Sequence, residues 1–235
     1  MDLFSVDALI GVLTLTIMEI VLGIDNIIFI AIIADKLPKQ EQPKARKIGL
    51  ALALIVRVVF LLGITTLIKL KDPVLTIVDI PLSIKDLILM AGGVFLVVKS
   101  LMEIFEKLAH DEKEKVVKGK NTMAAIITQI VLIDIVFSFD SILAAVALVQ
   151  EVAIMIAAVI VSMIIMMMFS GPIADYINKR PSLQILALSF LVLIGAMLFA
   201  EAIHHPIEKA YVYTSVAFAL IVELVNLTMD KKAHK

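Results

Sequence analysis

Seven long apolar runs dominate this chain, and each is close to the twenty or so residues that a helix needs to cross a bilayer. The runs cover about residues 8–34, 48–68, 87–105, 123–149, 152–173, 183–203 and 211–228. In lipid the backbone must satisfy its own hydrogen bonds, so uninterrupted runs of this length favour helices over barrel strands. The hydrophobic share of 61% also exceeds what a soluble domain of this length normally holds. The pattern predicts an all-α, multi-pass membrane protein with seven transmembrane helices.

Within these runs a nine-residue pattern occurs twice, at 19–27 and at 134–142, 115 positions apart. Each copy has an acid, a second acid six residues later, and then a small amide or hydroxyl residue. The residues are Glu19, Asp25 and Asn26 in the first copy and Asp134, Asp140 and Ser141 in the second. Carboxylates in hydrocarbon are costly unless they are paired or bind something, so we interpret both copies as parts of a functional site.

The charged segment 106–122 divides the chain after three predicted spans. Three is odd, so the second copy should enter the membrane from the side opposite to the first. Inverted repeats with a site between them are the usual plan of secondary transporters. We therefore predict one transmembrane domain over 1–235. Its parts are a first three-helix repeat (8–105), a charged cytoplasmic loop (106–122), a second, inverted repeat (123–203) and a seventh helix (207–228).

The six-residue spacing places the two acids of a copy about 120° apart on a regular helix. Gly23 and Ser138 stand between the acids, where glycine weakens a helix and serine can satisfy freed backbone groups. Local unwinding at both points would let both acids of each copy reach one site. The alternative is an intact helix, with one acid of each copy in the site and the other bonded to a neighbouring helix.

Carboxylate, amide and hydroxyl oxygens suit Mn²⁺, Ca²⁺ or Mg²⁺ better than soft metals, and the chain has no cysteine. The predicted metal-binding residues are Glu19, Asp25, Asn26, Asp134, Ser138, Asp140 and Ser141. Charge-compensating or relay roles are predicted for Arg57, Lys99, Glu103 and Glu201. With four acids and two buried cations, Arg57 and Lys99, the ionised site carries a charge that one dication neutralises.

Other features indicate what the chain does not do. A net charge of −1 suggests no nucleic-acid partner, and no GxxxxGK[ST] nucleotide motif is present, so an ion gradient is the expected energy source. No enzyme activity and no resident cofactor are predicted. We interpret Met163 and 166–168 as packing residues and His204 as an interfacial or capping residue.

Taken together, the two acidic copies, Gly92-Gly93, Lys99, Glu103 and the segment 201–206 (Glu-Ala-Ile-His-His-Pro) make the chain similar to the TerC family of bacterial integral membrane proteins. The resemblance extends from end to end. It implies a role in Mn²⁺ efflux, with the acidic copies as functional positions. Together with the predicted inverted repeats, this leads us to expect a cytoplasmic-membrane exporter of divalent cations, chiefly Mn²⁺, that works by alternating access. The family is named for tellurite resistance, but an oxyanion would be repelled by these carboxylates.

Two other functions fit parts of the pattern. An intramembrane aspartyl protease could share a proton between two carboxylates, although one aspartate per helix would suffice for that chemistry. A membrane scaffold in a metal or tellurite stress response would use the charged loop but leaves the repeated acids unexplained.

Basic residues predict the orientation. The first, third, fifth and C-terminal connections hold 15 lysines and arginines, and the other connections hold four. Basic loops stay in the cytoplasm, so the N-terminus should lie outside and the C-terminus inside. In this cysteine-free chain, Lys209→Cys should react with a membrane-impermeant thiol reagent in intact cells, whereas Lys113→Cys should react only after permeabilisation. Labelling of Lys113→Cys in intact cells would reverse the orientation.

Overall fold

The computed structural model describes residues 6–64, 72–77, 80–108, 122–149 and 151–233, and most of these residues are helical. The elements are α1 (Val6–Leu22), α2 (Ile24–Ala34), α3 (Gln42–Leu62), β1 (Pro73–Ile77), β2 (Ile80–Ser83), α4 (Ile84–Leu108), α5 (Met123–Leu148), α6 (Val152–Asn178), α7 (Pro181–Ala202) and α8 (Lys209–Ala233). The chain forms two compact units. The first contains α1 to α3, α5 and α6 as far as Tyr176, and the second contains the strands, α4, α7 and α8.

Four of these helices, α4 to α7, are each long and apolar enough to cross a membrane. The α1–α2 pair gives a fifth candidate if its two parts, bent by 44°, form one span. In the part of the chain that the structure describes, α3 and α8 do not qualify, and the predicted run at 48–68 continues beyond the described end of α3. The fold is thus a mostly helical one with four or five candidate spans. The count of seven and the inverted repeat stay predictions.

A short β-hairpin precedes α4, so the predicted all-α fold is mostly helical with one added pair of strands. Strands β1 and β2 pair antiparallel, with Pro73 opposite Ser83 and Ile77 opposite Ile80. The sequence analysis treated this stretch only as a connection. Its β-branched residues, Val74, Thr76, Ile77 and Ile80, are the signal that could have indicated strands.

The first unit is held together largely by α3 lying against α5. A Cβ atom on Gly49 of α3 would lie only 2.8 Å from Ile130 of α5, so the glycine permits close contact there. Further along, the rings of Phe60 and Phe139 meet edge to face with centroids 6.1 Å apart. These contacts bring the middle of α3 against the second acidic copy.

In the second unit the backbones of α4 and α7 approach each other closely, through one glycine from each helix. A Cβ on Gly93 would lie 2.6 Å from the carbonyl oxygen of Gly195, and a Cβ on Gly195 would lie 2.7 Å from that of Gly93. Membrane helices use small residues in this way to gain packing contacts that lipid cannot provide. At one end of this helix pair, Lys85 of α4 forms an ion pair of 2.6 Å with Glu201 of α7.

Large apolar side chains remain exposed along several helices. On α1 they recur every three or four residues, a spacing that covers one helix face. These are Val6, Leu9, Ile10, Leu13, Ile17 and Val21, each between 46% and 72% exposed. An apolar face of this extent would be unfavourable in water and is what lipid contact requires.

The glycine contact between α4 and α7 predicts an effect on stability. Gly195→Ala should destabilise the protein by about 1–3 kcal/mol, because the added methyl group meets backbone rather than a movable side chain. The measurement is thermal unfolding in detergent. The matched control is Gly171→Ala, where the nearest heavy atom to the added carbon is 3.9 Å away. Equal unfolding temperatures for the two variants would contradict this account of the packing.

Candidate functional site

The helix carrying the first acidic copy breaks at Gly23, as the sequence predicts. Helix α1 ends at Leu22 and α2 begins at Ile24. A Cβ at Gly23 would lie 2.7 Å from the carbonyl oxygen of Glu19 and would also meet the sulfur of Met166. Only glycine therefore fits this position with Met166 packed against it. The break changes the direction of the chain between the two acids of the copy.

The corresponding break in the second copy was also predicted, and that prediction is wrong. Helix α5 continues without interruption from Met123 to Leu148, through Ser138. The Ser138 hydroxyl donates to the carboxylate of Asp134 at 3.0 Å, one turn earlier on the same helix. The Ser138 hydroxyl thus bonds to a side chain and not to a backbone group released by a break in the helix. The helix of this copy is therefore intact, and Asp134 is bonded to a neighbouring helix through Arg57, as the alternative expected. The place of Asp140 in a site stays a prediction.

Both copies converge on one buried arginine. The guanidinium of Arg57 on α3 donates through Nη1 to Glu19 of α1 and through Nη2 to Asp134 of α5, the latter at 2.8 Å. Its Nε lies 3.3 and 3.2 Å from the two Asp134 oxygens. The exposed fractions are 2% for Arg57, 3% for Glu19 and 4% for Asp134. Two parallel N–H bonds to one carboxylate make this a strong, orientation-fixing pair.

Asp134 also receives a hydrogen bond from the first copy. The amide nitrogen of Asn26, on α2, lies 3.1 Å from Asp134 Oδ1. Asn26 is itself buried, and so are Ser138 and Ser141. The Ser141 hydroxyl donates to the Ser138 carbonyl oxygen on the same helix, at 3.4 Å. Five of the seven predicted metal-binding residues thus form one contact network.

Charge in this network is only partly balanced. Glu19 and Asp134 carry one negative charge each when ionised, and Arg57 is their shared positive partner. Lys99, predicted as a second buried cation, is a partly exposed residue of α4 and belongs to the second unit. One arginine therefore serves two carboxylates.

The side chains of Asp25 and Asp140 lie outside the described part of the structure, although both residues are helical. Their predicted meeting, and the antiparallel crossing of the two copies, stay predictions. Among the side chains that are described, no group of three or more His, Asp or Glu residues is arranged to hold a metal ion. Residues 109–121, most of the predicted charged loop, also lie outside the described residues.

The remaining predicted positions lie in the second unit. Glu103 is a partly exposed residue of α4, and Glu201, predicted as a relay, is paired with Lys85. His204 ends α7 with a positive φ of 62°, and the His205 N–H bonds back to the Ala200 carbonyl at 2.9 Å. This is the hydrogen-bond pattern of a Schellman cap, which supports the capping role expected for His204.

Sequence reasoning missed the residues that begin α4. The Ser83 hydroxyl accepts from the Asp86 N–H at 3.1 Å, and the Asp86 carboxylate accepts from the Ser83 N–H at 2.9 Å. This reciprocal pair is a capping box, and a serine three residues before an acid at the start of an apolar run was its visible signal. His204 Nε2 lies 3.4 Å from the same carboxylate.

Several helices are apolar and long enough to span a bilayer, their exposed faces carry large apolar side chains, and a network of charged side chains is buried. These features define a polytopic integral membrane protein. The family model for the integral membrane protein TerC family matches residues 4–235. The chain belongs to the TerC family.

Relatives agree with this assignment. The chain is 42% identical over 217 residues to UPF0053 inner membrane protein YoaE of Escherichia coli K12, covering 92% of this chain and 42% of that protein. It is 41% identical over 226 residues to a UPF0053 protein of Haemophilus influenzae, covering 96% and 95% of the two chains. The chain thus spans about two fifths of YoaE but nearly all of the Haemophilus protein. No solved structure matches it. The apolar helices and the inner-membrane relatives support a multi-pass location in the inner membrane.

The network predicts that Arg57 is essential for stability. Arg57→Met leaves two buried carboxylates without their cation and should cost about 3–5 kcal/mol, the usual penalty for breaking a buried ion pair. Adding Glu19→Gln and Asp134→Asn to the same chain should recover much of that loss, because no unpaired charge then remains. Thermal unfolding in detergent measures both effects. Arg57→Met unfolding at the parental temperature would contradict the proposed importance of the pair.

Proposed function

We propose that this protein exports divalent cations across the inner membrane, with Mn²⁺ as the cargo. The observation that carries the proposal is the convergence of both acidic copies on Arg57, inside a helical membrane protein. Buried charges of this kind are costly in a membrane and mark ion pathways in proteins that keep them. Membership of the TerC family supports a transport role.

The chemistry of the site supports a hard divalent cation. Every polar side chain of the two copies offers oxygen: carboxylates, an amide carbonyl or hydroxyls. Such ligands suit Mn²⁺, Ca²⁺ and Mg²⁺, whereas a Cu⁺ or Zn²⁺ carrier would be expected to use thiolate or imidazole. Within this class Mn²⁺ is proposed because it accepts amide and carboxylate ligands and loses its water more readily than Mg²⁺.

In this proposal Asp25 and Asp140 supply the negative charge that replaces the hydration of the ion. Among the described side chains, Arg57 is paired with the other acid of each copy. Glu19 and Asp134, already paired with Arg57, would add less negative charge to the site than two unpaired carboxylates. Transport would proceed by alternating access and draw its energy from an ion gradient, with the N-terminus outside and the C-terminus in the cytoplasm.

The test is Mn²⁺ transport in sealed vesicles that contain this protein alone. Asp25→Asn and Asp140→Asn should each reduce Mn²⁺ transport at least tenfold, because the amide keeps the shape of the side chain and removes its charge. Both proteins should still insert, since the Arg57 network is unchanged. The comparison ions are Ca²⁺, Mg²⁺ and Zn²⁺ at the same concentration.

The matched control is His204→Ala, which alters a helix cap in the second unit and should transport Mn²⁺ at close to the parental rate. Normal transport by both Asn variants together with failure of His204→Ala would place the site at the end of α7 instead. A parent protein that moves none of the four ions would refute the proposal outright.

A further inference from the structure

The carboxamide of Asn26 is held in one orientation by its contact with Asp134. Asp134 is paired with Arg57, and a carboxylate in such a pair accepts hydrogen bonds and has none to donate. The Asn26 nitrogen must therefore be the atom that faces it, at 3.1 Å. If the amide oxygen faced Asp134 instead, two acceptor oxygens would lie against each other with no hydrogen atom to bond them. The Asn26 carbonyl oxygen, Oδ1, is consequently not the atom that bonds to the Arg57 network.

That oxygen has no partner. In the described part of the chain two buried side-chain polar atoms lack a hydrogen bond, Asn26 Oδ1 and Arg46 Nη1. Arg46 Nη1 is a donor, so Asn26 Oδ1 is the one unpartnered acceptor of this group. Buried acceptors are nearly always satisfied in proteins because an unmade hydrogen bond is costly. An exception within a functional site indicates a missing ligand that acts as an electron-pair acceptor.

Asp134 differs from Asn26 in this respect. Its Oδ1 accepts from Asn26 and from Arg57 Nη2, and its Oδ2 accepts from Ser138, while Arg57 Nε lies between the two oxygens. A carboxylate has about four lone-pair positions, and these contacts occupy them. A cation could bind Asp134 only by displacing one of these donors. Sequence spacing alone had placed Asp134 and Asn26 in the same group of ligands.

We propose that Asn26 Oδ1 is a direct ligand of the transported cation and that Asp134, fixed by Arg57, is a positioning residue that aims this oxygen. The inference rests on the proposed function and divides its site into two parts. One part, Glu19, Arg57 and Asp134, is a fixed ion-pair anchor. The other part binds the cation, and Asn26 belongs to it. Polar groups behind metal ligands commonly orient them in this way.

A change of ligand chemistry tests the contact. Asn26→Cys replaces a hard oxygen by a soft sulfur, so direct contact should raise the ratio of Cd²⁺ to Mn²⁺ transport in sealed vesicles at least tenfold. The matched control is Ser162→Cys, a buried thiol in the same unit whose parental hydroxyl bonds within its own helix, to Val159 at 2.9 Å. Its ratio should stay within twofold of the parent.

A spectroscopic measurement on the unsubstituted protein covers the case in which Asn26→Cys does not fold. The chain has four asparagines, so the side-chain carbonyl carbons can be labelled with ¹³C selectively. Electron–nuclear double resonance on bound Mn²⁺ should then show a ¹³C coupling. The coupling should persist when the other three asparagines are replaced by serine. Asp134→Asn should reduce it, an effect that a purely structural role would not produce.

The outcomes separate the two proposals. A parent protein that transports Mn²⁺, with an unchanged Cd²⁺ to Mn²⁺ ratio in Asn26→Cys, would overturn the Asn26 assignment and leave the transport function standing. Bound Mn²⁺ without a ¹³C coupling would overturn it in the same way. A parent that transports no divalent cation would refute the function and, with it, this inference.

Discussion

The pairing of Arg57 with Glu19 and Asp134 is the interaction on which the first unit depends. None of the three side chains could be buried alone, because an isolated ion in a low-dielectric interior carries a penalty of several kcal/mol. Together they tie α1, α3 and α5 at one point, and Asn26 adds α2 to the same point. The network therefore decides where the two acidic copies meet. Packing such as that of Gly49 against Ile130 then brings α3 close enough to α5 for the contact to form.

Helix positions, the break at Gly23 and the buried arginine were predictable from short stretches of sequence. Apolar runs gave the positions of the long helices, although α3 and α8 do not meet the criteria for a span within the described residues. Glycine between two acids predicted the break at Gly23, because the absence of a Cβ permits both the turn and the close approach of Met166. A lone arginine in an apolar run predicted a buried counter-charge, and Arg57 has that position.

What the sequence could not provide depends on which side chains and helix faces meet in the folded structure. Ser138 has the same place in its copy as Gly23, yet α5 stays helical, because the serine hydroxyl finds a side-chain acceptor in Asp134. Lys99, like Arg57, is a basic residue within an apolar run. Its burial depends on which face of α4 packs against a neighbouring helix, and the close contact at Gly93 sets that face. The hairpin before α4 was not predicted because its two strands are short and lie within the connection between two apolar runs.

Alike in sequence, the two acidic copies differ in environment. The position 115 residues after Arg57 is Pro172, so the second copy has no arginine of its own at the corresponding place. One cation is therefore shared by Glu19 and Asp134, and the charge that remains is negative. The third polar residues differ too: Asn26 directs a nitrogen to Asp134 and keeps an oxygen free, whereas the shorter Ser141 uses its hydroxyl on its immediate neighbours. The repeated sequence pattern thus has two unequal environments, in which Asp134 is fully hydrogen-bonded and Asn26 keeps an oxygen without a partner. Under the proposed function, that asymmetry lets the protein hold its empty site without a metal while leaving a ligand position open.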